Sequence, residues 1–242
     1  MQFQVDLEFD VAGLAKIAGQ GQFVTVFRSV TAVVGTAAAR YAEATFPVGT
    51  AAARYAEATF PVAWLAFQPL ATANVLIWTD AANLYAAAAA PAPGGVIAFP
   101  FPARTHGLTP GLSSTLCDGA FRTAGVGPDP SAYRAVNAQR DFFCFGLIGE
   151  AFLNGVPRPH RPMNIQSTLL NEAVDFILDP GAITIALTNI GTDGTMMPVE
   201  AGGLPLTLSG ASPTAKVGFD DSTNEFFLIG DDWRCAALTR EI

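Results

Sequence analysis

Short apolar runs set apart by turn residues constrain this chain more than any other feature. In its second half nine of them follow one another: Asp141–Leu147, Gln166–Leu170, Val174–Leu178, Ile183–Thr188, Thr195–Val199, Leu204–Ser209, Ala215–Phe219, Glu225–Ile229 and Trp233–Leu238. Between them stand Asn154-Gly155, Asp179-Pro180-Gly181, Gly191–Gly194, Gly202-Gly203, Asp220-Asp221 and Gly230–Asp232. Runs this short, broken every eight to twelve residues, predict strands of a sandwich or barrel rather than parallel βαβ units.

The first half reads the same way. Phe3, Val5, Leu7 and Phe9 alternate with Gln2, Gln4, Asp6, Glu8 and Asp10, the pattern of a half-buried strand. Val11–Gly19 has helical spacing, and Phe23–Val30 predicts a second strand. Val62–Phe67, Val75–Thr79, Val96–Phe99 and Asn83–Tyr85 are further strand candidates. Pro100–Pro130, dense in Gly, Pro, Ser and Thr, predicts a long ordered loop with one helical turn around Ser114–Phe121. The expected fold is all-β and mainly antiparallel: one jelly-roll-like β-sandwich domain over residues 1–242, with long loops and one or two short helices.

Gly35–Val48 and Gly49–Val62 both read GTAAARYAEATFPV. Identity at every position marks a copying event that is recent or engineered, because an old repeat diverges. Pro47 prevents one helix from running through both copies. One copy is expected to align with the fold and the other to be accommodated as a loop or protrusion.

Charge is sparse. Charged residues make up 14% of the chain against 50% hydrophobic, where about 25% charged is usual. Lys16 and Lys216 are the only lysines, although lysine commonly blunts exposed sheet edges. Low charge is also the composition of obligate interfaces. The expected partner is the chain itself: a non-catalytic, self-associating subunit of a particle, shell, fibre or inclusion. Its expected contact regions are Pro100–Pro130, Arg158–Pro162 and the duplicated stretch.

A net charge of −8 without a basic cluster argues against nucleic acid, since nothing would replace counterions on phosphate. No run of eighteen apolar residues suggests a transmembrane helix. Met1–Asp10 lacks the basic and apolar regions of a secretory signal, which with three cysteines favours an intracellular protein, export by another route aside.

Candidate chemistry is thin. Cys117, Cys144 and Cys235 read as small buried hydrophobes. His106 or His160 beside Cys117 or Cys144 would be the minimum for thiol catalysis, yet no local signature supports a catalytic residue. The nucleophile elbow, phosphate loop, zinc helix and EF-hand motifs are absent, and no cofactor is expected. Asp193, Asp220, Asp221, Asp231 and Asp232 sit in acidic turns that could contribute calcium oxygens, but Asp is common in turns for its local hydrogen bonds. Trp78, Asp80 and Tyr85 could form a carbohydrate platform, and His106, Arg158, His160 and Arg161 a ligand or interface cluster. The rival readings are therefore a lectin-like or pore-forming module that takes carbohydrate or lipid, with an enzyme third.

Overall fold

The computed structural model describes residues 1–36, 55–57, 60–88, 92–97, 104–139, 141, 143–197 and 202–230. In chain order its elements are β1 (Gln2–Glu8), α1 (Val11–Gly19), β2 (Phe23–Thr36), β3 (Tyr55–Glu57), β4 (Phe60–Ala63), β5 (Leu65–Phe67), β6 (Ala73–Thr79), β7 (Asn83–Ala87), β8 (Leu112–Cys117) and β9 (Ala120–Val126). The second half supplies β10 (Ala132–Asn137), β11 (Phe143–Leu153), β12 (Val156–Pro162), β13 (Asn164–Thr168), β14 (Glu172–Thr188), β15 (Thr195–Met196), β16 (Leu204–Thr207), β17 (Thr214–Asp220) and β18 (Glu225–Leu228).

Two mixed sheets pack together as an all-β sandwich. One runs β15-β4-β13-β11-β6-β1-β17-β18, with β7 and β12 also on β11. The other runs β3-β2-β14-β10-β8-β9, with β5 on β2 and β16 on β14. Most pairings are antiparallel; β1 with β17 and β8 with β10 are parallel. The β1–β17 pair joins the two ends of the described chain, and the core draws on both: Phe3, Val5 and Leu7 pack in one cluster with Val217, Phe219 and Phe226. Burying each such side chain contributes about 1.5–3 kcal/mol.

The alternation in β1 does what the sequence predicts, placing Phe3, Val5 and Leu7 inward. Helix α1 begins where Asp10 caps it, its carboxylate accepting from Gly13 N–H at 2.6 Å, and it buries Ile17. No helix among the described residues is long and apolar enough to cross a membrane.

Four expectations need correction. Residues 112–126 of the Pro100–Pro130 stretch are not loop but the hairpin β8/β9, and the helical turn around Ser114–Phe121 is absent. Serine and threonine on β8 masked its alternation, in which Ser114 and Leu116 point inward. The hairpin signal was Asp118-Gly119, whose φ of +51° and +74° is the left-handed pair a two-residue turn requires. Second, Asp179-Pro180-Gly181 does not separate two strands. It bulges out of the single long strand β14, which resumes its ladder with β2 at Ile183. A side chain at Gly181 would overlap the Leu208 carbonyl, so the bulge depends on glycine.

Third, Val62–Phe67 is two strands: the chain breaks at buried Trp64 and passes from one sheet (β4) to the other (β5). Fourth, β10 and the proline-rich β12 were not expected at all. Val96 forms only an isolated bridge to Thr195, Ile97 N–H donates to Gly194 O at 2.9 Å, and Ala98 and Phe99 of that expected strand, like Trp233–Leu238, lie outside the described residues. Of the duplicated sequence, residues 55–57 and 60–62 of the second copy pair into the sheets, while residues 37–48 of the first lie outside the described residues.

Candidate functional site

The site begins with a hairpin. Asn154-Gly155, at φ +52° and +75°, turns β11 back as β12. Pro157, Pro159 and Pro162 offer no N–H, which restricts such a strand to a sheet edge, and β12 pairs with β11 alone. Its register slips: Arg161 pairs with Gly149 and Arg158 with Ala151, so Pro159 and His160 together stand opposite Glu150. His160 absorbs the extra residue at φ +55°.

The bulge determines where the charges go. Residues three apart in a regular strand point to opposite faces. Here the extra residue brings Arg158 and Arg161 to one carboxylate, that of Asp193 in the turn before β15. Asp193 is nearly buried: its Oδ1 accepts from Ala66 N–H at 2.7 Å, and its Oδ2 lies 3.1 Å from Arg161 Nε and 3.8 Å from Arg158 Nη1. The 3.1 Å approach is an ion pair off the hydrogen-bonding direction, because Arg161 Nε, like Arg158 Nε, has no hydrogen-bond acceptor. Both arginine side chains remain about a third exposed, at 33% for Arg161 and 35% for Arg158, although their Nε atoms are buried.

His160 Nδ1 lies 4.0 Å from Glu150 Oε1 on β11. Desolvation lowers its pKa below the ordinary histidine value, and Arg104, His106 and Arg161 add to the effect while Glu150 opposes it. Arg104 is positioned by an isolated bridge to Tyr85 on β7, and Thr105 reinforces the attachment by exchanging two hydrogen bonds with Leu84. The structure therefore brings together His106, Arg158, His160 and Arg161 as one cluster, to which Arg104 adds a further guanidinium. Sequence reasoning missed Arg104, Glu150 and the role of Asp193, which only the bulge and the β7 edge connect.

The other expected site residues are elsewhere. Trp78 and Tyr85 are core: Trp78 stacks on Phe3 at 5.6 Å and donates through Nε1 to Pro180 O, and Tyr85 Oη donates to Asn164 O at 2.6 Å. Neither ring presents a face to solvent, which corrects the sugar-platform expectation. Asp80 pairs with the Met1 amino group at 2.8 Å. Asp220 accepts from Ser222 N–H and Oγ–H, which holds its carboxyl below the usual range, and the Asp221 carbonyl accepts from Lys16. Asp231, Asp232 and Cys235 lie outside the described residues. Among the described residues no three potential metal ligands gather. Cys144 is buried beside Ser167, and Cys117 sits next to Asp118.

A buried arginine was also missed. Arg28 on β2 lies 4.9 Å from the Trp64 ring and 5.7 Å from that of Trp78, and donates to Pro180 O at 3.0 Å. Burial lowers its pKa to about 10. An arginine between Phe27 and Ser29 does not by its own type suggest burial; the signal was its position in a strand that is otherwise mostly apolar. Compared with protein-family models, curated proteins and solved structures, the chain finds no match in any of the three.

Proposed function

We propose that this protein is a non-catalytic structural subunit whose sandwich is completed by further copies of the same chain. The observation that supports the reading is a contrast between two sheet edges. Proline covers β12, but β9, at the margin of its sheet, has none: Ala120–Val126 is exposed at six of seven positions, and Val126 reaches 86%. Its only charge, Arg122, is within 3.6 Å of Asp118 across the hairpin turn. A bare edge of this length recruits another strand, and natural proteins ordinarily prevent that with lysine, proline or a covering element. A two-fold antiparallel pairing of β9 with the β9 of a second copy would join the two sheets into one and close the interface upon itself.

The test is mass by light scattering for the wild type and for the double variant Thr123→Lys, Val126→Lys. The wild type is expected at a multiple of 25.3 kDa and the variant at 25.3 kDa. A wild type that stays at the single-chain mass, or a variant that assembles as well as the wild type, would count against the reading.

A further inference from the structure

At the β12 bulge two guanidiniums crowd one carboxylate that cannot satisfy them. Asp193 Oδ1 is taken by Ala66, so one oxygen faces both arginines, and both Nε donors are buried without an acceptor. An unpaired buried donor costs about 1–3 kcal/mol, and more when it is charged. The charge is also unbalanced: Arg104 adds a third guanidinium with no ion pair among the described residues, against Asp193 and Glu150. The chain as a whole carries −8, so this concentration of cations is not a sample of its average surface. The backbone is strained to create it, since a non-glycine residue at φ +55° persists only where its surroundings impose it, and such residues gather at ligand clamps.

We propose that the bulge is a binding site for a phosphate- or sulfate-type oxyanion, clamped between Arg158 and Arg161 with Arg104 and His160 at its rim. Such an anion offers separate oxygens to each guanidinium, where Asp193 offers one to both. His160 is faced by Arg104 and His106 from the segment before β8, by Glu150 from β11 and by Arg161 on its own strand. A bound dianion offsets those cations and raises the proton affinity of the imidazole, so binding of sulfate, which keeps both charges across this range, tightens as pH falls.

The experiment is calorimetric titration of the full chain with inorganic phosphate, with chloride holding the ionic strength constant. One saturable site is expected, weakened about tenfold in Arg158→Gln and in Arg161→Gln, the loss of one charge-assisted hydrogen bond. Arg122→Gln, on β9, should bind as the wild type does. Arg158→Gln, whose Asp193 contact is the longer one, carries the test should Arg161→Gln fail to fold. The imidazole resonances of His160 should titrate at higher pH with phosphate present. Phenyl phosphate separates two sources of the anion: equal affinity assigns the site to the free ion, and tighter binding assigns it to the phosphoryl group of a larger ligand. No saturable heat, equal weakening by Arg122→Gln, or a His160 titration that phosphate does not move would overturn the proposal.

Discussion

Removing one copy of the duplicated fourteen residues should stabilise the protein. Because the copies are identical, deleting 35–48 or 49–62 gives the same polypeptide, and every residue of the second copy that pairs into the sheets is replaced by its equal. The β2–β3 ladder closes at Val34 and Tyr55, with residues 35–54 between them. With a single copy the same tyrosine follows Val34 after six residues, 35–40, within the length of an ordinary hairpin connection. Loop closure scales as 1.5RT times the logarithm of length, so shortening from twenty residues to six lowers the cost by about 1 kcal/mol. For a chain of this size that is a rise of about 2–4 °C in the melting midpoint. Urea and thermal melts measure the change, and amide protection of Ala32 and Val34 reports whether the ladder is kept. A single-copy protein that unfolds, or that loses more than about 1 kcal/mol, would refute the claim that one copy suffices for the fold.

Other substitutions probe the core and the site. Arg28→Met should leave stability unchanged or raise it by about 1 kcal/mol in urea melts: the fall from 12.5 to about 10 weighs roughly 3 kcal/mol against the charged form, stacking on two tryptophans returns about 2, and Pro180 O keeps its bond from Trp78. A loss above about 2 kcal/mol would show the buried cation to be stabilising. Gly181→Ala should cost about 3 kcal/mol or more, because its new methyl meets the Leu208 carbonyl, while Gly19→Ala at the end of α1 meets nothing and should gain up to about 0.5. The His160 pKa is lower in the folded chain, so the unfolded chain takes up the proton first and stability falls as pH drops below about 6.5; His160→Gln should flatten that slope, and identical slopes would refute it.

Periodicity was legible wherever one face of a strand was apolar and the other charged. β1 and α1 could be read almost residue by residue, since Asp10 both ends the strand alternation and caps the helix. β8 was not, because Ser113, Ser114 and Thr115 are neither clearly buried nor clearly exposed types, and its turn signal, Asp118-Gly119, outweighs that composition. β12 was hidden by prolines that exclude a central strand but suit an edge. Arg158, His160 and Arg161 were legible as a group and their arrangement was not. Two arginines three apart converge on Asp193 only through a bulge, and no local pattern announces the long-range pairing that creates it. Trp78 and Tyr85 illustrate the converse: Trp78 is placed by the inward phase of β6, whereas β7 is buried on both faces and Tyr85, opposite Leu84 and Ala86, joins a second cluster with Val62, Ile97 and Ile165.

Self-association through the edge of β9 is tested most directly by amide hydrogen exchange along Ala120–Val126. At concentrations where the chain assembles, the outward N–H groups of β9 should be protected, and dilution to the single-chain mass of 25.3 kDa should expose them. Exchange at β9 that is rapid at every concentration, while the remaining strands stay protected, would mean that this edge is left to water and that the assembly reading is wrong.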